Sequence, residues 1–213
     1  VLAIARSSSV RDVFESIVEL RYKDRVVSFT RRNHFPSVDW IPSALKLRLL
    51  ERVGSVHDTS LDVRIDKRAW FSNLVANPFY GHLMKAADES QRAELADAKV
   101  GVEETKLGFF PVASPFSFDS CFGDEFLMLA LVRPNSPLSS QSGGGEVISH
   151  VGFAFKLREG WIFRAASERV GRVVDLPLRS VLTHRSKAPV VGVVVLRPVP
   201  VATQLASPAQ AEA

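Results

Sequence analysis

The 213-residue chain is 46% hydrophobic and 23% charged, the balance of an ordinary globular protein long enough to bury a sizeable core. Its net charge of +4 is a small excess, with no basic stripe interleaved with aromatics of the kind that grips nucleic acid. No apolar run approaches the ~20 residues of a membrane-spanning helix. The single cysteine, Cys121, excludes an internal disulfide and any multi-thiolate zinc site.

Val1, Leu2, Ile4 and Ala5 fit one side of a helix already under way. They lack the basic leader and long apolar core of a signal peptide, and without an initiator Met the true start is expected upstream. A helix follows, with Ser8 or Ser9 as its N-cap and Val10, Val13, Phe14, Ile17, Val18 and Leu20 as a buried stripe. Residues 25–30 read as a short strand and 33–40, with Pro36 inside, as a loop. Pro42 marks the start of a short helix through Leu49. Residues 62–65 are expected as a strand, 68–75 as a helix bearing Trp70 and Phe71, and 88–98 as an arm or surface helix. A Phe/Pro/Ser loop spans 109–118.

From Gly123 the pattern turns to β. Strands are predicted over 125–132 and 147–157, separated by a Ser/Gly-rich connection at 135–145. Arg158-Glu159-Gly160 forms a tight turn into a strand at 161–165. A short helix at 177–184 and a fully buried strand at 190–196 follow. The fold class is α+β, N-terminal helices followed by an antiparallel sheet, with one domain over 1–198 and a disordered tail over 199–213.

The five histidines, His34, His57, His82, His150 and His184, show no metal-ligand spacing, so no metal or other cofactor is expected. Gly143-Gly144-Gly145 lacks a following Lys-Ser/Thr and is a linker rather than a phosphate loop. The informative segment is Ser149-His150-Val151-Gly152-Phe153. An imidazole on a rigid strand with small neighbours can move a nucleophile's proton, and it can equally be a histidine with satisfied hydrogen bonds. Cys121 lies in a Phe-rich run rather than at a helix N-terminus, which reads as a structural thiol; a Cys121–His150 pair is the rival reading.

In order along the chain stand Arg32-Asn33-His34-Phe35, Asp39-Trp40-Ile41, Asp58-Thr59, Lys67-Arg68-Ala69-Trp70-Phe71, Gly123-Asp124, Ser149-His150-Val151-Gly152, Ala165-Ala166-Ser167 and Arg197-Pro198. Together they resemble the N-acetylmuramoyl-L-alanine amidase-like family of bacterial wall proteins, in the NlpC-type clan of papain-like cysteine hydrolases. The resemblance implies a papain-like fold, peptidoglycan fragments (muropeptides) as partners, a periplasmic or secreted location, and hydrolysis of the amide between N-acetylmuramic acid and L-alanine. It places the histidine of a cysteine–histidine pair at His150. The family's nucleophile lies in an Asp-Cys-x-x-Phe-x-Glu segment just before a run like Val1-Leu2-Ala3-Ile4-Ala5, so the catalytic cysteine is expected outside this chain. Where the family has an orienting histidine, this sequence has Arg164; arginine has no acceptor, so the role would pass to Ser167 or Glu168 or be lost. The substrate contacts implied are Arg32, His34, Asp39, Trp40 and Ser149. A non-catalytic protein that binds wall fragments is the alternative. Asp39 as a helix cap and Trp40 as a core residue are the structural alternatives for those two.

Overall fold

The computed structural model describes residues 9–53, 59–76, 89–96, 100–112, 122, 126–134, 136 and 145–200. Helix α1 (Val10–Arg21) starts at Ser9, whose hydroxyl accepts the Asp12 amide at 3.2 Å. A 3₁₀ turn (Lys23–Arg25) leads into a loop closed by a single bridge between Tyr22 and Arg32. Pro36 opens a π-helical turn (Pro36–Trp40) that runs straight into α2 (Ile41–Lys46). Then follow β1 (Leu50–Arg52), β2 (Ser60–Asp66), α3 (Lys67–Ala76), α4 (Glu89–Ala96), β3 (Val102–Gly108), β4 (Phe110–Pro111) and β5 (Leu127–Val132). The chain closes with β6 (Ile148–Leu157), β7 (Gly160–Ser167), β8 (Arg172–Pro177), α5 (Leu178–Leu182) and β9 (Gly192–Pro198).

Among the described residues seven strands form one sheet in the order β1-β9-β5-β6-β7-β8, with β4 sharing the outer edge of β9 with β1. Every described pairing is antiparallel. β5 sits near the middle and all six of its residues are buried, as a strand covered on both faces must be. Its side chains alternate between two cores. Met128, Ala130 and Val132 face one that is closed by Val38, Ile41 and Ala44 and by the separate β2–β3 pair. Leu127, Leu129 and Leu131 face the other, closed by Leu178 of α5, Phe110, Phe122 and Val190. Each fully buried aliphatic chain here contributes roughly 1.5–3 kcal/mol, so the central strands carry most of the stability. β6 and β7 meet in a two-residue turn, Arg158-Glu159, which Gly160 leaves at φ +118°, a conformation that side chains avoid.

The α+β class and the antiparallel sheet are as expected. The helix at 10–21, the helices at 41–46, 67–76 and 178–182, and the strands around 62, 130, 150, 163 and 194 also fall where the periodicity put them. Four expectations fail, the first being the loop at 33–40, whose second half is the π-helical turn Pro36–Trp40. No residue of α1 is fully buried: Val10 and Phe14 are 74% and 65% exposed, whereas Val13, Ile17 and Val18 are half-buried and Leu20 packs against the core, so the anticipated stripe is covered only in part. Residues 25–30 form no strand, because Asp24 and Arg25 both adopt positive φ and turn the chain back. The sheet is not built solely from the C-terminal half, since β1 and β4 return to its β9 edge. The 113–118 part of the Phe/Pro/Ser loop, most of the 135–145 connection, Cys121, His57 and His82 lie outside the described residues.

Candidate functional site

The register between β5 and β6 slips by one residue: Leu131 faces His150, yet Val132 faces Ile148. Ser149 is therefore the extra residue of a β-bulge, with its hydroxyl donating to the Leu131 carbonyl at 3.4 Å. A bulge breaks strict alternation, and here it presents both Ser149 and His150 to a cavity of about 370 Å³. The polar wall of that cavity is Arg133, Ser136, Ser149, His150 and Ser167; its apolar wall includes Leu131, Phe163, Ala165 and Val181.

His150 is well held there. A ring nitrogen hydrogen-bonds the backbone of Ala166, and the ring centroid lies 6.2 Å from that of Phe163. Partial burial, reinforced by the neighbouring Arg133 charge, lowers its pKa, so the imidazole is neutral at pH 7. A neutral ring whose one nitrogen is fixed by a carbonyl has the other ready to take a proton. Gly152 makes the arrangement fit: a Cβ there would lie 2.6 Å from the Phe163 ring and 2.7 Å from the Arg164 carbonyl.

Arg164 is not brought to this site. It pairs in register with Phe153, so it projects from the opposite face of the sheet to Phe163 and the cavity. Its guanidinium makes a two-pronged bond to Asp175, 2.7 Å on each prong, and lies 5.0 Å from the Phe155 ring centroid. The cavity side of β7 is instead Phe163, Ala165 and Ser167, and the group bonding the imidazole is the Ala166 backbone.

Arg32, His34, Asp39 and Trp40 do not join the described cavity wall, whereas Ser149 does. One carboxylate oxygen of Asp39 accepts the backbone amides of His34 and Phe35, both at 3.2 Å. The other is bonded by the Lys67 ammonium and lies 3.0 Å from that of Lys23. Glu103 completes the group, accepting from both lysines at 2.6 Å. Burial opposes the charge on Asp39, but the two ammonium groups outweigh it and hold its pKa below the usual carboxylate value. His34 bonds the Phe29 carbonyl at 2.7 Å and packs among Phe29, Trp70 and Phe71. Burial drives its pKa down to about 4. Trp40 packs partly buried against the core, and Arg32 is exposed. His34 and Asp39 thus spend their polar atoms inside the fold.

The sequence pattern did not single out Arg133. It terminates the apolar strand β5 directly before Pro134, a position that reads as a strand end. The lysine–carboxylate cluster was equally hidden, because its members come from four separate segments.

Comparison with known proteins adds to this picture. A protein from Legionella pneumophila str. Philadelphia 1 matches at a TM-score of 0.73 and 25% identity, over 93% of this chain and 73% of that one. A Bacteroides fragilis protein carrying a provisional xylanase name matches at 0.62 and 24%, over 92% and 82%. An N-acetylmuramoyl-L-alanine amidase from Bacteroides uniformis ATCC 8492 matches at 0.61 and 21%, over 93% and 79%, a likeness of fold. No curated protein sequence matches the chain. The sequence profile of the AmiA-like, N-acetylmuramoyl-L-alanine amidase-like family matches residues 1–188, and the chain belongs to that family.

Proposed function

We propose that this domain is a peptidoglycan amidase of the papain-like, NlpC-type kind, cleaving the amide between N-acetylmuramic acid and L-alanine through a cysteine–histidine pair. The observation that carries the reading is His150: a neutral imidazole, anchored to the Ala166 backbone, facing a cavity lined by small and polar groups. Family membership supplies the substrate class. In the reaction, His150 takes the thiol proton as sulfur bonds to the amide carbon. It returns that proton to the nitrogen of L-alanine as the carbon–nitrogen bond breaks, and water then releases the acyl group from sulfur. Ser149 and Ser167 are placed to hydrogen-bond substrate or ring. The nucleophilic thiol is not among the described residues; by the family pattern it belongs to an Asp-Cys-x-x-Phe-x-Glu segment outside the sequence given. The setting of such substrates is the periplasm or the outside of the cell.

The test is digestion of muropeptides read by mass spectrometry. The chain as given, its Cys121→Ser form and a form extended upstream through any in-frame cysteine are each compared with a His150→Ala control. Release of stem peptide by the extended form alone, lost in the control, is expected. Cleavage by the present chain that Cys121→Ser abolishes would transfer the nucleophile to Cys121. No cleavage by any form would overturn the amidase reading in favour of a non-catalytic fragment-binding or degenerate protein.

A further inference from the structure

Resting on that reading of the His150 cavity, we propose that Arg133 reads a carboxylate of the stem peptide and so sets the enzyme's preference for acidic over amidated stems. Arg133 lines the cavity together with His150, Ser149 and Ser167. Its backbone is pinned on both sides: its amide donates to the Val147 carbonyl at 2.7 Å, and its carbonyl accepts the Ser136 amide at 3.1 Å. Its side chain is not satisfied. The Nε atom is buried and has no hydrogen-bond partner, and no described carboxylate forms an ion pair with Arg133.

A buried guanidinium donor without an acceptor is costly, and the other charged arginines that matter to this fold show what satisfies one. Arg164 has Asp175 at 2.7 Å on two prongs, and Arg197 has Glu51 at 2.9 Å. Among the described residues, Arg133 alone combines a buried orphan donor with a place in the cavity wall. The planar fork of donors matches a carboxylate, and burial strengthens such a pair once it forms. An anionic peptide group arriving beside His150 would pair with the guanidinium, bring Nε an acceptor once the half-buried side chain turns toward it, and offset the arginine charge that now bears on the imidazole. The ligand class follows from this chemistry: a peptide bearing a free carboxylate close to the amide to be cut.

The probes are N-acetylmuramoyl-L-alanyl-D-glutamate, its diamide, and the sugar-free N-acetyl-alanyl-glutamate. Binding is followed through the His150 ring signals of the isotope-labelled chain. The wild type is expected to bind the diacid about tenfold tighter than the diamide, the scale of one charge-assisted pair. Arg133→Gln should erase that preference by weakening diacid binding about tenfold more than diamide binding, and Arg133→Lys, which keeps charge but not the fork, should restore part of it. Amide spectra of both variants check the fold. Equal binding of diacid and diamide by wild type, or a preference surviving in Arg133→Gln, overturns the proposal while leaving the amidase reading intact. If the sugar-free dipeptide binds as tightly as the muropeptide and still depends on Arg133, the carboxylate site stands and the muropeptide reading falls. No binding of any probe overturns the proposal.

Discussion

One carboxylate oxygen of Glu146 accepts both the amide and the hydroxyl of Ser37, at 3.2 and 2.9 Å, and so ties the π-helical turn to the entrance of the strand that carries His150. The second oxygen takes the Ile148 amide at 2.7 Å. Burial raises the Glu146 pKa above its ordinary 4.5, the hydrogen bonds opposing only in part. The folded state therefore holds this proton more tightly than the unfolded chain does. The associated stability is complete below pH 4.5 and declines as pH rises through the folded value. Glu146→Gln should abolish that slope. At neutral pH it should cost about 1–3 kcal/mol, because one amide N–H must face another donor. Urea unfolding across pH checks this; a variant that keeps the wild-type slope would refute it.

His34 gives the opposite sign. Its folded pKa of about 4 lies below the ordinary 6.5, so the unfolded chain binds the proton more readily between those values. Stability is full above pH 6.5 and falls on acidification toward pH 4, by up to about 3 kcal/mol if His34 alone acts. His34→Phe should flatten the melting temperature across this window while losing the bond to the Phe29 carbonyl. An unchanged acid dependence would remove His34 from the account.

Lys67 is buried against Asp39 and shares Glu103 with Lys23. Lys67→Met leaves the buried Asp39 with Lys23 as its one remaining ammonium partner, so it should destabilise by about 1–3 kcal/mol. Adding Asp39→Asn should recover part of that loss, a coupling that a double-mutant cycle measures. Strict additivity of the two changes would show that the contact carries no net energy.

Gly152→Ala pushes a methyl group into the Phe163 ring and the Arg164 carbonyl. It should cost about 1–3 kcal/mol and shift the His150 ring resonances, since the same Phe163 flanks that imidazole. A destabilised variant with unmoved His150 signals would separate packing from the site.

Arg164→Ala should leave the His150 titration where it is, because its side chain leaves the other face of the sheet. Ser167→Ala, on the cavity side, should move it. Histidine titration by NMR distinguishes the two, and the reverse result would return the orienting role to position 164.

The strand that carries His150 is legible in the sequence because β6 is long and well patterned, whereas the imidazole by itself reads equally as a histidine with satisfied hydrogen bonds, and it is the resemblance that singles it out. The face of Arg164 is not legible from a motif. Adjacent residues of a strand point in opposite directions, so a one-position error in matching a pattern moves a residue through the sheet. His34 and Asp39 mislead for a different reason. Polar residues in a proline-bearing loop look available to a ligand, and only the distant Lys67, Lys23 and Phe29 reveal that they are already occupied. β1, β3 and β8 escape notice because they are short or largely exposed, and edge or outer strands lack the apolar alternation that marks a strand.

The bulge at Ser149 acts as a phase shift within one strand. Ile148 packs with Val151 and Phe153 in one core, whereas Ala154 belongs to the other, an assignment that unbroken alternation would forbid for two even-numbered positions. Substitutions can alter the chemistry of either half of β6 without disturbing this offset. Only a deletion or insertion can change the phase, and it would turn Ile148 and everything before it inside out. Point mutation can therefore retune the cavity wherever packing leaves room, while its frame is protected by the arithmetic of the ladder.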